Sequence, residues 1–143
     1  MSTTVVSHGS LKVFHNNENP GYARDCIRDL NRSRCEIRAY CRLKWFKICD
    51  SDTVPNFYDF MLAIDPANCA SYLDVFQHDT DFPCVILIEY LSNPLIMNCV
   101  TYTTECMQKA VIGIQQIHLA LVKHNNPYSK NILIVPDDQK RII

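Results

Sequence analysis

The sequence predicts an α+β fold, and three observations carry that prediction. Short apolar runs bounded by turn residues alternate with two longer stretches of helical character. Two of the runs, Val85-Ile86-Leu87-Ile88 and Ile132-Leu133-Ile134-Val135, are continuously apolar, as buried strands are. Gly and Pro number only three and seven, which argues for compact structure with few flexible linkers. At 143 residues and 48% hydrophobic, the chain can build one core and is too short for two ordinary domains.

Taken in order, SLKVFH (10 to 15) reads as a strand, and Pro20-Gly21 breaks it. From about Leu30 to Phe46, Arg, Glu, Ala, Leu and Lys are frequent and Pro and Gly absent. Ile37, Tyr40 and Leu43 or Lys44 recur there at helical spacing and give one apolar face. FYDFMLAI (57 to 64) reads as a strand, followed by a looser DPANCASYLDVFQHD with room for a short helix. CVILIEYL (84 to 91) is a second strand, whose charge comes only at Glu89. Thr104 to Lys123 is the strongest helix: Met107, Val111, Ile114, His118 and Leu121 step by four and three, and Ala110 and Ile117 widen the stripe. Thr104 suits its N-cap, and Glu105 suits the positive end of its dipole. Asn131 to Val135 is a last apolar run, PDDQK a tight turn, and Arg141 to Ile143 the start of a return strand.

Composition excludes several classes. Fourteen basic residues against fifteen acidic, with no basic run longer than two, give a nucleic-acid or anionic-membrane partner no electrostatic support. No window approaches eighteen apolar residues and MSTTVVSHGS lacks the features of a signal peptide, so a cytoplasmic, reducing location is expected. The eight cysteines are then free thiols, several of them buried, rather than a disulfide scaffold. None forms a C-x-x-C knuckle, which argues against structural zinc, and the sequon Asn31-Arg32-Ser33 is a chance match unless the chain is secreted.

The stretch HNNPYSKNIL (124 to 133) carries the most chemistry. His124 and Asn131 stand at the separation of the first and last residues of the kinase catalytic loop H-R-D-x-x-x-x-N, with Asn126 at the place of the Asp. With EIRAY, VPNFYDF, ILIEYL, MNCVTYT and IQQIH at suitable spacing, the chain resembles the protein kinase superfamily, in particular fungal kinase-like proteins whose loop reads H-x-D-x-Y-x-K-N-[IL]-L. The resemblance runs from Lys12 to Ile143. It implies a partial protein-kinase-like fold in one domain, 1 to 143: an N-lobe remnant and hinge at about 10 to 91, and the start of the C-lobe at about 92 to 143.

By that resemblance Lys12 is the strand lysine that contacts the nucleotide phosphates, and Glu36 the helix glutamate that pairs with it. Taken alone, Lys12 reads as an exposed strand lysine and Glu36 as an ordinary glutamate on a solvated helix face. Ile88 would stand beside the adenine pocket, and the backbone of Glu89 and Leu91 would bond the adenine edge. Lys130 would meet a phosphate or remain solvated, and Asn131 would hold Mg²⁺. Mg²⁺ and ATP, weakly bound if at all, are the cofactors implied.

Three departures touch the chemistry. An amide at Asn126 cannot accept a proton as the Asp does, and general-base help contributes about 10²–10⁴ in rate. Only eleven residues precede Lys12, with Gly9 their one glycine, so no glycine-rich phosphate lid is expected. The chain stops at Ile143, before the Asp-Phe stretch that carries the second metal ligand in the relatives. The expectation is a truncated, catalytically inactive pseudokinase remnant whose exposed C-lobe helix face meets a protein partner. Its rivals are a divergent ATP-dependent phosphotransferase completed by a partner or by missing sequence, and a non-enzymatic interaction module.

Overall fold

A computed structural model of the chain describes residues 9–124, 128–136 and 141–143. It is mixed α/β, with two helices and two small sheets. The described chain divides into two compact units: Gly9–Ala39 with Tyr58–Ile88, here the sheet unit, and Tyr40–Phe57 with Glu89–Ile143, here the hairpin unit.

The first sheet consists of β1 (Gly9–Phe14), β2 (Phe57–Met61) and β3 (Cys84–Glu89) in the order β1-β3-β2. Bonds at its ends, Ile64 N–H to Pro83 O (3.0 Å) and Glu89 N–H to Asn56 O (2.8 Å), run β2 antiparallel to β3. The central place of β3 explains its composition: Cys84, Val85 and Ile86 are buried, and Ile86 is wholly inaccessible. Both neighbouring strands satisfy its backbone, so continuous apolar side chains cost nothing in unmet hydrogen bonds. Phe57 to Ile64 does not remain extended throughout, since β2 ends at Met61. The looser stretch after it contains two 3₁₀ turns, Pro66–Cys69 and Asp74–Phe76, the first capped by the Asp65 carboxylate on Ala67 N–H.

Helix α1 (Arg32–Trp45) starts two residues later than the composition suggests. Asn31 Oδ1 accepts the Arg34 N–H at 2.9 Å, an N-cap geometry that fixes the start. Lys47, at φ 60° in the left-handed region, marks the end. Ile37 and Leu43 are its buried residues, on the face the spacing predicts.

The hairpin unit holds β4 (Leu95–Ile96), α2 (Thr104–Leu119), β5 (Leu133–Val135) and β6 (Arg141–Ile142). Its sheet order is β4-β5-β6, antiparallel throughout, with Ile134 opposite both Leu95 and Ile142. β4 was not expected, since two residues are too few to show a period. Asn131 belongs to a 3₁₀ turn, Ser129–Asn131, and not to the strand that follows. The turn expected at PDDQK lies, apart from Pro136, outside the described residues. Met97, Cys106, Ile134 and Ile142 form the core of this unit, with Ala110 and Ile132 packed on it.

Two expectations about α2 need correction. Its N-cap is Thr103, whose hydroxyl accepts from Cys106 N–H at 3.0 Å, and Thr104 is the first helical residue. Its inward face is Cys106, Ala110, Gly113, Ile117 and Ala120; of the expected stripe, Ala110 and Ile117 lie on it and Ile114 is half-buried, while Met107, Val111, His118 and Leu121 are exposed. Both rows step by three and four, and the small side chains of the first allow the closer approach that decides which faces in. At Gly113 a Cβ would lie 2.7 Å from Thr53 Cγ2, and the Thr53 hydroxyl is held by Gln116 Oε1 at 2.7 Å. Gly113→Ala gains about 1 kcal/mol in helix propensity but meets overpacking of about 1–3 kcal/mol. A net loss of stability is expected in urea denaturation, and pairing it with Thr53→Ser, which removes the opposing methyl, should recover it.

All eight cysteines are free, with Cys49, Cys84 and Cys106 buried. Burial raises the Cys49 and Cys84 thiols, which keeps them protonated and unreactive.

Candidate functional site

In the sheet unit the structure brings Lys12 and Glu36 together. Lys12 lies mid-strand in β1 and Glu36 one turn into α1, next to buried Ile37, which sets the rotation of the helix. The Lys12 ammonium donates to Glu36 Oε1 and sits 5.3 Å from the Phe14 ring centroid. The side chains keep 45% and 32% of their exposure, so the pair contributes little to stability, in the range of about 0–1 kcal/mol for such pairs. The ammonium has three N–H donors, so one bond to Glu36 leaves others over. Ile88, half-buried, is on β3 in the same unit. Gly9 opens β1, where a Cβ would come 2.8 Å from Leu87 Cδ1, so its glycine serves strand packing.

In the hairpin unit the Glu89 side chain makes contacts that the sequence did not suggest. Its carboxylate receives Arg141 in a two-pronged pair, Nη1 to Oε1 at 2.7 Å and Nη2 to Oε2 at 3.0 Å, and also accepts Asn56 N–H at 2.9 Å. Arg141 further donates to the Asp52 carbonyl at 2.9 Å and the Val54 carbonyl at 3.1 Å, and its side chain is only 7% exposed. The hydrogen bond from Arg141 holds the Glu89 carboxyl below its usual range against the opposing effect of burial. Leu91 is half-buried just past β3. Lys130 is exposed, 6.0 Å from the Tyr128 ring centroid, and Asn131 donates its N–H to the Tyr128 carbonyl. Asn126 lies outside the described residues.

Two further charged clusters in the sheet unit were not anticipated. Asp29 accepts Arg34 Nε at 2.5 Å and Nη2 at 2.7 Å, with Arg38 Nη1 at 3.3 Å. The cluster offsets a local conflict: α1 has no acidic residue in its first turn, and arginines there face the positive end of the helix dipole. The Arg34 hydrogen bonds lower the Asp29 carboxyl to about 2. Separately, Asp79 accepts His15 Nδ1 at 2.9 Å and Asn16 N–H at 3.0 Å, and the His15 ring packs 4.4 Å from Phe76. Burial opposes ionisation of Asp79, yet these bonds keep its carboxyl below the usual range.

Depressed carboxyl values fix the direction of the acid response. Stability from Asp29, Asp79 and Glu89 is fully present above the unfolded carboxyl values near 4 and is lost as pH falls through the lower folded values. The urea midpoint is therefore expected to fall between about pH 5 and pH 2, and Asp29→Asn should flatten part of that slope. An unchanged slope in Asp29→Asn would show that Asp29 titrates alike in folded and unfolded chains.

A shallow cleft of about 320 Å³ opens in the hairpin unit between Asp52, Thr53, Lys109, Gly113, Gln116 and Arg141. None of the expected nucleotide-site residues lines it. No three His, Cys, Asp or Glu side chains among the described residues come together as a metal site. Asn131 offers one neutral side-chain oxygen to a cation. Comparison of this chain with protein-family models, curated proteins and solved structures finds no match. Among the described residues no helix is long and apolar enough to cross a membrane.

Proposed function

We propose that this chain is a catalytically impaired protein-kinase-like domain, a pseudokinase, that binds Mg·ATP weakly or not at all and acts through protein contacts. The observation that carries the reading is the Lys12–Glu36 pair, because a strand lysine held by a helix carboxylate is the arrangement protein kinases use at nucleotide phosphates. The element order supports it: strand, helix, two strands and a two-residue third, a long helix, then a loop ending in KN before a buried hairpin. Asn126 supports the loss of catalysis, since an amide at the base position cannot take up the hydroxyl proton. Exposed Met107, Val111, Ile112 and Leu119 on α2 support a contact role.

A thermal-shift titration with Mg·ATP tests the reading. A ligand at 100 times its Kd stabilises by about 2.7 kcal/mol, so tight binding would be plain. The expected result is no rise in melting temperature at sub-millimolar nucleotide, in the wild type and in Lys12→Met alike. A saturable rise well below millimolar, abolished by Lys12→Met, would instead favour the divergent phosphotransferase. Asn126→Asp adds a second readout: phosphoryl transfer from ATP in that variant would establish the kinase ancestry directly.

A further inference from the structure

Charge is segregated along this chain. Residues 9 to 47 hold nine Lys and Arg against four Asp and Glu, whereas residues 48 to 108 hold no Lys or Arg and nine Asp and Glu. Within the sheet unit, residues 9 to 39 hold six Lys and Arg against four Asp and Glu, and residues 58 to 88 hold five Asp and no Lys or Arg.

The basic surface is a small hairpin. Leu30 N–H bonds the Gly21 carbonyl at 3.0 Å and Ala23 N–H the Arg28 carbonyl at 2.8 Å, placing Tyr22 opposite Asp29 in an antiparallel bridge. Asp25 Oδ1 ties the tip by accepting Ile27 and Arg28 N–H at 3.1 and 3.2 Å, and Cys26 takes a left-handed φ of 56°. Arg24 and Arg28 are thus carried at an ordered, exposed tip around Ile27, which is 85% exposed. Asp29 takes up Arg34 and Arg38, but among the described residues Arg24, Arg28 and Arg32 form no salt bridge.

The acidic surface is the loop from Asp65 to Phe82, ordered by its two 3₁₀ turns and by Ser71 N–H on Asp74 Oδ1 at 2.9 Å. Asp74 and Asp81 are exposed and, among the described residues, form no salt bridge, while Asp79 is taken up by His15. Beside them Tyr72, Val75 and Phe82 are exposed.

We infer that the Arg24–Arg28 hairpin tip docks on the Tyr72–Asp81 loop of a second copy of this chain. Each surface offers what the other lacks: guanidinium forks suited to carboxylates, and apolar side chains to bury behind them. The net charge of −1 leaves little overall repulsion between copies, so the local attraction dominates. Because the two surfaces differ, the contact is head-to-tail, building short chains or a closed ring.

Sedimentation velocity across a wide concentration range tests this at about 0.01 M and about 0.5 M ionic strength, where the screening length falls from about 30 Å to a few ångströms. The wild type should associate at low salt and sediment as a monomer at high salt. R24E/R28E and D74K/D81K should each sediment as monomers at low salt, with circular dichroism confirming that both are folded. Mixing the two variants should restore a complex, since the intact acidic loop of one meets the intact basic tip of the other. A wild type that is monomeric throughout, association that survives high salt or either double variant, or a mixture that remains monomeric would each overturn the proposal. Association that survives both double variants would move the contact to an apolar surface such as that of α2.

Discussion

Arg141→Ala is expected to lower the free energy of unfolding by about 3–5 kcal/mol, the loss typical of stranding one partner of a buried ion pair. Arg141 anchors β6 to four acceptors: both Glu89 oxygens and the carbonyls of Asp52 and Val54. Its removal leaves a carboxylate that burial has already made costly to ionise, and two carbonyls without their guanidinium donor. The double variant Glu89→Leu/Arg141→Met should lose less than Arg141→Ala alone, because no charge is then left unpaired. Urea denaturation of the three proteins provides the double-mutant comparison. If Arg141→Ala cost under 1 kcal/mol, the pair would be solvated in solution and would not anchor β6.

Ile86→Ala comes next, with an expected loss of about 2–5 kcal/mol, against about 0.5–1.5 kcal/mol for Ile86→Val. Ile86 is completely inaccessible on the central strand β3, flanked by buried Val85 and Cys84. Hydrogen-bonded neighbours on both sides limit how far the strand can move to refill the space, so most of the cavity should persist. The ratio between the two variants is the informative measurement. Equal losses would mean that the site collapses readily and that β3 is not the rigid centre of its sheet.

Much of the element order was legible because the signals for it are local. A continuous apolar run such as Val85 to Ile88 is informative wherever it occurs, and the apolar stepping of residues 104 to 121 identifies a helix without reference to any neighbour. The rotation of that helix was legible only in part, through Ala110, Ile114 and Ile117. Two adjacent rows of α2 both have helical period, and the row that faces inward contains Gly113 and two alanines, which score low on any hydrophobic count. Contact distance decided between them, and contact distance is not written in one segment. The two-residue strand Leu95–Ile96 was missed for a related reason: its identity comes from its partner, β5.

The charged residues divide in the same way. Any exposed lysine and any helix glutamate could form such a pair, so composition could not select Lys12 and Glu36, and only the ordered set of family-like motifs did. The Arg141–Glu89 pair joins residues fifty-two positions apart, and the Asp29 cluster reaches across the start of α1. Neither has a motif, because an ion pair needs only proximity and complementary charge.

The sequence by itself determined where most of the longer strands and both helices lie, and the segregation of charge along the chain. Tertiary structure alone decided which row of α2 packs most closely and which acid holds Arg141. Backbone propensity and apolar period act over a few residues, whereas packing and ion pairing depend on which distant segments the fold brings within a few ångströms.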